Sequence, residues 1–80
     1  MLKHVDKVNF TILTECLNLI SYLDDEQSES IYGDIAMLRN EARFHPCIDY
    51  RCDLLEICDK YRGSEAVKRI SDKYFFTEKI

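Results

Sequence analysis

The chain has 80 residues, 46% of them hydrophobic and 32% charged, and 11 basic against 15 acidic residues give a net charge of −4. That length predicts one domain, and two glycines are too few for a phosphate-binding loop, a dinucleotide fingerprint or a nucleophile elbow. The acidic balance disfavours general nucleic-acid binding. No apolar stretch is long enough to span a membrane and residues 1–6 do not resemble a signal peptide, so we expect a cytoplasmic protein.

The first predicted element is a helix from Asp6 to about Leu23. Asp6 is a suitable N-cap, and apolar residues recur after it at helical spacing. The polar run at 24–27 ends the pattern. The residues expected to face inward are Val8, Ile12, Cys16, Leu19 and Leu23, with Phe10, Leu13, Leu17 and Ile20 widening the stripe.

A second helix should begin with Ser28 or Ser30 as its cap and continue to Phe44. It should stop there because the following histidine precedes Pro46, and a residue before proline avoids the helical conformation. Gly33 weakens its first turns, which suggests either a close approach by another helix or a later start of this one. The residues expected on its inner face are Ile31, Ile35, Leu38 and Ala42.

Pro46 suits the first turn of a third helix running to Arg62, with Ile48, Cys52, Leu55 and Cys58 inward. Gly63 then provides a stop and Ser64 caps a fourth helix. Its inward residues should be Ala66, Val67, Ile70 and Tyr74. Residues 75–80 are open to two interpretations, a frayed helix end or an extended segment. The pattern as a whole predicts an all-α protein, a compact bundle of about four short amphipathic helices forming a single domain over residues 1–80.

The four cysteines, Cys16, Cys47, Cys52 and Cys58, are interpreted as small, buried, reduced thiols. Two of them lie six residues apart in one predicted helix, too far for a disulfide within it. With His45, the last three could also supply zinc ligands, but their gaps of four and five residues are wider than the usual zinc knuckle. We therefore predict no metal and no cofactor, and keep a thiol- or zinc-based sensor as an alternative.

Two sets of residues suggest a surface for binding another protein. Asp49, Asp53 and Glu56 fall at i, i+4 and i+7 of the third helix with Asp59 adjacent, and such an acidic stripe can steer a partner that has a basic patch. The second set is aromatic and would suit a protein interface or self-association into a homo-oligomer. Its members are Tyr50, Tyr61, Tyr74, Phe75 and Phe76, and for the last three we favour packing in the core or over the end of the bundle, with a self-association patch as the alternative.

Nothing in the sequence predicts an enzyme. His45 and Cys47 are two residues apart across a proline turn, which gives no clear nucleophile and base, and no oxyanion-binding turn follows them. A helix-turn-helix around Gly63 is the alternative from another class, a small DNA-binding or transcription-associated module. The would-be recognition helix offers only Lys68, Arg69 and Lys73 as basic residues.

Two segments stand out in the sequence, residues 28–34 (Ser-Glu-Ser-Ile-Tyr-Gly-Asp) and residues 44–50 (Phe-His-Pro-Cys-Ile-Asp-Tyr). In these segments and in its overall length, the chain resembles small, acidic accessory proteins of T-even-like phages. Cytoplasmic antiholins are among those proteins. The resemblance implies a regulator that binds the cytoplasmic portion of a holin and delays lysis. Neither segment is a motif of known mechanism, so no site residue follows from it.

Overall fold

Four α-helices make up the fold between residues 7 and 74, which are the residues that this computed structural model describes. They are α1 (Phe10–Ile20), α2 (Glu26–Phe44), α3 (Arg51–Lys60) and α4 (Glu65–Tyr74), and no strand occurs among the described residues. The helix α2 packs against each of the other three, and α1 also contacts α4. The prediction of a compact, all-α bundle of about four short helices is confirmed.

The first helix begins four residues later than predicted. Asn9 is its N-cap, and the Asn9 side chain accepts a hydrogen bond of 3.0 Å from the backbone N–H of Ile12. Such a bond satisfies one of the orphan donors of the first turn. Asp6, which we expected in this role, lies outside the described residues, and the prediction of a helix from Asp6 to Leu23 is too long at both ends.

The second helix begins earlier than predicted, with Asp25 as its N-cap. The carboxylate of Asp25 accepts bonds from both the backbone N–H (2.8 Å) and the hydroxyl (2.9 Å) of Ser28. Ser28 therefore lies in the first turn as the partner of the cap, and the prediction that Ser28 or Ser30 caps this helix is wrong. The helix ends at Phe44, directly before His45 and Pro46, as predicted.

The third helix is much shorter than predicted. Residues 46–50 form a turn, so Pro46 does not occupy the first helical turn, and α3 begins at Arg51. Long-range contacts hold this turn: the N–H of Val8 donates to Asp49 Oδ1 at 2.9 Å, and the N–H of Tyr50 donates to the Val8 carbonyl at 3.0 Å. These bonds fix the approach to α3 against the segment before α1.

The buried face of α3 also differs from the predicted one. Tyr50, Leu54 and Cys58 are buried, whereas Cys52 and Ile48 are exposed and only half of the predicted stripe faces the core. The buried face of α3 is therefore rotated about the helix axis from the face that the spacing of Cys52, Leu55 and Cys58 predicted. This rotation decides which acidic residues of α3 lie beside α2.

The start and the buried residues of the fourth helix agree with the prediction. Gly63 has a φ of +97°, in the left-handed region that favours glycine, and ends the turn after α3. The Ser64 hydroxyl accepts a bond of 3.1 Å from the N–H of Val67, which confirms it as the cap. All four predicted inward residues are buried: Ala66, Val67, Ile70 and Tyr74.

Gly33 lies within α2 on an exposed part of its surface. A Cβ added there would meet no atom within 4 Å, so no other helix approaches this glycine. Both interpretations that the sequence suggested, a close helix approach and a start of the helix after Gly33, are wrong.

Candidate functional site: an acidic groove between the second and third helices

An open groove of about 250 Å³ runs between α2 and α3. Its α2 wall spans about two helical turns, and its α3 wall spans about one. The lining residues are Asp34, Met37, Leu38, Glu41, Asp53, Glu56 and Ile57. Three of these are apolar and four are carboxylates, so the groove combines a hydrophobic surface with a uniformly negative charge.

The apolar part of the groove is continued by exposed side chains on α2. Met37 is 73% exposed, and Phe44 is 70% exposed. Since they are seven residues apart on one helix, they lie on the same side, one above the other. Methionine adapts its shape to different partners, and large exposed apolar side chains beside a groove are typical of a protein-binding surface.

Three carboxylates of the groove have no counter-ion within residues 7–74. Glu41, Asp53 and Glu56 are exposed, and none makes an ion pair or a side-chain hydrogen bond with another described residue. Asp34 is the exception, because it accepts a bond of 3.1 Å from the Tyr61 hydroxyl and lies 4.0 Å from Lys60 Nζ. The negative charge of the groove is therefore available to a cation from outside.

Tyr50 is the N-cap residue of α3 and is not one of the residues that line the groove. The residue is only 2% exposed, and its hydroxyl finds no hydrogen-bond partner among the described residues. Burial raises the pKa of Tyr50, and the charges of Glu41 and Asp53 raise it further. The two carboxylates that act on Tyr50 are thus both lining residues of the groove.

The predicted acidic stripe is divided in the structure. Asp53 and Glu56 lie together in the groove, but Asp49 precedes α3 and binds Val8 N–H, Arg51 N–H (3.0 Å) and the Arg51 guanidinium (3.1 Å). Asp59 is not among the lining residues and pairs with Arg62. Asp49 therefore stabilises the fold, and half of the stripe belongs to the groove.

Sequence reasoning missed the contribution of α2. Asp34, Met37 and Glu41 follow one another at i, i+3 and i+7, which places them on one side of a helix. That spacing indicates a helix face that carries both acidic and apolar side chains. Its position opposite Asp53 depends on how α2 packs against α3, which no local pattern reports.

Two of the predicted aromatic surface residues are buried. Tyr50 is 2% exposed and Tyr74 is 4% exposed, and the Tyr74 hydroxyl donates to the carboxylate of Glu15. Both rings belong to the core, which corrects the expectation of an exposed interface residue at Tyr50 and agrees with the inward position predicted for Tyr74 in α4. Phe75 and Phe76 lie outside the described residues.

The cysteines separate into two classes. Cys16 and Cys58 are buried, and burial raises the pKa of Cys16 to about 12 and that of Cys58 to about 11, which makes both poor nucleophiles. Cys47 and Cys52 are exposed, so the prediction of four buried thiols is half wrong. Within residues 7–74, no three His, Cys, Asp or Glu side chains are grouped so that they could hold a metal ion.

A second depression, between α1 and α4, is less distinctive. Its lining carries one acid and one base, Glu15 and Lys73, so it favours neither sign of charge. Beside it, Arg69 pairs with Glu65 at 3.1 Å and lies 5.3 Å from the centre of the Tyr22 ring. This basic residue of the supposed recognition helix is thus engaged within the protein.

No protein-family model, curated protein or solved structure matches this chain. Among the described residues, no helix is both long and apolar enough to cross a membrane.

Proposed function

We propose that this protein is a non-enzymatic regulator that binds another protein through the groove between α2 and α3. The partner segment is a basic amphipathic helix, which places its apolar side on Met37, Leu38 and Ile57 and its cationic side chains beside the carboxylates. The observation that carries the proposal is the combination of an apolar lining with three carboxylates that no described residue neutralises.

Shape and charge both support a helical occupant. Asp34 and Glu41 are seven residues apart, so the α2 wall is about 10 Å long, and two turns of a helix have about the same length. A helix in a groove places apolar anchors at i, i+3, i+4 and i+7. Basic residues on either side of those anchors would meet acid on both walls, since α2 and α3 each supply two carboxylates.

The charge should act mainly on the speed and selectivity of binding. Exposed charges of one sign attract an oppositely charged partner over a distance of about 10 Å at ordinary salt, and they repel acidic competitors. The apolar lining then slows dissociation. A regulator of this kind needs no cofactor and no catalytic group, which agrees with the prediction that the protein is not an enzyme.

The resemblance to accessory proteins of T-even-like phages supports a more specific form of this proposal. In that form the protein is a cytoplasmic antiholin, and the partner is the cytoplasmic portion of a holin. Co-expression with such a holin tests it: the wild-type protein should delay lysis, and a variant with a reversed groove charge should not.

A synthetic probe tests the groove itself. The probe is a peptide of leucine and lysine with helical periodicity, about 18 residues long so that it can form a helix. Fluorescence anisotropy should show binding to the wild-type protein, and the Asp53→Lys/Glu56→Lys variant should lose about tenfold or more in affinity. Equal affinity of the two proteins would contradict the proposed site.

The matched control is Asp24→Lys/Asp72→Lys. Both residues are exposed, neither lines the groove, and the control changes the net charge by the same amount as the groove variant. It should keep most of the affinity. A loss as large as that of the groove variant would show that net charge alone, and not this surface, attracts the peptide. Thermal melting of each variant confirms that it is folded.

A further inference from the structure

The outward face of α2 carries a stripe of exposed residues along its whole length. Their positions repeat with alternating steps of four and three residues, which is the spacing by which one helix packs along another. Every residue of this outer stripe is exposed. Its six members are Glu26, Ser30, Gly33, Met37, Asn40 and Phe44.

The outer stripe is narrow in its first half and bulky in its second. A Cβ at Gly33 would meet no atom within 4 Å, so packing within the described chain does not account for a glycine that costs α2 about 1 kcal/mol. Further along, Met37 and Phe44 are 73% and 70% exposed. Two such stripes fit each other when they run antiparallel, because the bulky half of one then lies over the narrow half of the other.

The charges of α2 favour the same antiparallel direction. Glu26 and Glu29 lie in its first turn, and Arg43 lies in its last. All three are exposed, and none forms an ion pair with another residue among residues 7–74. Parallel pairing of two α2 helices would place like charges together, whereas antiparallel pairing brings the arginine of each copy beside the two glutamates of the other.

We infer that the outer stripe is a homodimer interface, in which two copies of this chain pair their α2 helices antiparallel about a twofold axis. The axis passes at the level of residue 35, midway between Gly33 and Met37. The Met37 side chain of each copy then fills the open space beside Gly33 of the other, and glycine allows this close approach. Ser30 lies opposite Asn40 of the second copy, where the two side chains can form a hydrogen bond.

The dimer should be weak, because each copy contributes one helix face to it. With 19 residues α2 is about 28 Å long, and a single stripe of that length is at the low end of interface sizes. We expect a dissociation constant on the order of 10–100 μM. Met37 also lines the groove between α2 and α3, so dimerisation and the proposed partner compete for this side chain. The interface itself does not depend on the groove having a partner.

Sedimentation equilibrium measures the association directly. The mass of the wild-type protein should rise from 9.5 kDa in dilute solution toward twice that value at near-millimolar concentration. Gly33→Gln should weaken association about tenfold or more, because a long side chain then occupies the space that Met37 of the second copy needs. Glutamine also favours a helix more than glycine does, so melting in dilute solution should show no loss of stability. A wild-type protein that stays monomeric, or a Gly33→Gln variant that associates as well as wild type, overturns the interface.

A pair of charge reversals tests the antiparallel direction. Glu29→Arg and Arg43→Glu should each weaken self-association, since each places like charges opposite one another at two points of the dimer. An equimolar mixture of the two variants should recover the wild-type association, because both contacts of the mixed dimer again join opposite charges. In a parallel dimer neither single reversal would weaken association, so that result overturns the arrangement, as does a mixture that associates no better than either variant alone.

The matched control is Lys68→Glu. Lys68 is exposed on α4, and its reversal changes the net charge by the same amount as Arg43→Glu. The control should associate as the wild type does. A loss as large as that of Arg43→Glu would show that net charge, and not the outer stripe, governs association, which overturns the inference.

Discussion

The backbone N–H of Val8 donates a 2.9 Å hydrogen bond to the carboxylate of Asp49, 41 residues further along the chain. The carbonyl of the same valine accepts a bond from the N–H of Tyr50, and Val8 is completely buried. Two backbone groups of one residue thus hold the turn before α3. This contact sets the start of α3 and, through it, the α3 wall of the groove.

Asp49→Ala should destabilise the protein through Val8. The buried N–H of Val8 would lose its acceptor, which costs about 1–3 kcal/mol of unfolding free energy. Urea unfolding monitored by circular dichroism measures the change. Asp59→Ala is the control, because among residues 7–74 that carboxylate pairs with exposed Arg62 alone, and it should have little effect. An equal loss in both variants would contradict the role assigned to Asp49.

The same contact predicts a dependence on pH. Burial alone would raise the pKa of Asp49, but the hydrogen bonds from Val8 and Arg51 and the charge of Arg51 outweigh it and hold the pKa below its ordinary value. The stabilisation is therefore fully present above the ordinary carboxyl pKa of about 3.9 and is lost as the pH falls through the lower folded value. The difference in unfolding free energy between wild type and Asp49→Ala should shrink on acidification. A difference that grows at low pH would contradict this sign.

The two glycines should respond in opposite ways to alanine. At Gly63, φ is +97°, so Gly63→Ala should destabilise the protein by about 1 kcal/mol. Gly33 is exposed inside α2 with open space around it, so Gly33→Ala should stabilise by about 1 kcal/mol. Thermal melting of both variants checks the pair. Destabilisation by Gly33→Ala would mean that another group approaches this part of α2 after all.

Thiol labelling should separate the cysteines by burial. In the folded protein, a thiol-reactive dye should modify Cys47 and Cys52 quickly, because both are exposed. Cys16 and Cys58 should react only when the protein unfolds, since they are buried and their raised pKa values keep the thiols protonated. Mass spectrometry counts the modified residues. Rapid labelling of Cys16 would contradict its place in the core.

Local signals predicted α4 well and α3 poorly. Gly63 and Ser64 mark the start of α4 within the sequence itself, and both act as predicted. The start of α3 depends on Val8 binding Asp49, and nothing near Pro46 reveals that contact. A helix was predicted through the turn because proline suits a first helical turn in general.

The candidate site was predictable only in part for the same reason. Asp53 and Glu56 stood out from their spacing in α3, but their importance comes from Asp34 and Glu41 across the groove. Helical periodicity reports which residues share a face of one helix. It does not report which faces of two helices meet, so the α2 wall and the position of Tyr50 required the structure.

The most direct test of the groove is a nuclear magnetic resonance titration of isotope-labelled protein with the leucine–lysine peptide. We predict that chemical-shift changes concentrate at the groove residues, with the largest at Met37, Glu41 and Ile57, and that they vanish in Asp53→Lys/Glu56→Lys. Changes centred on Tyr22 and Lys73, in the depression between α1 and α4, would contradict the account, as would a spectrum that the peptide leaves unchanged.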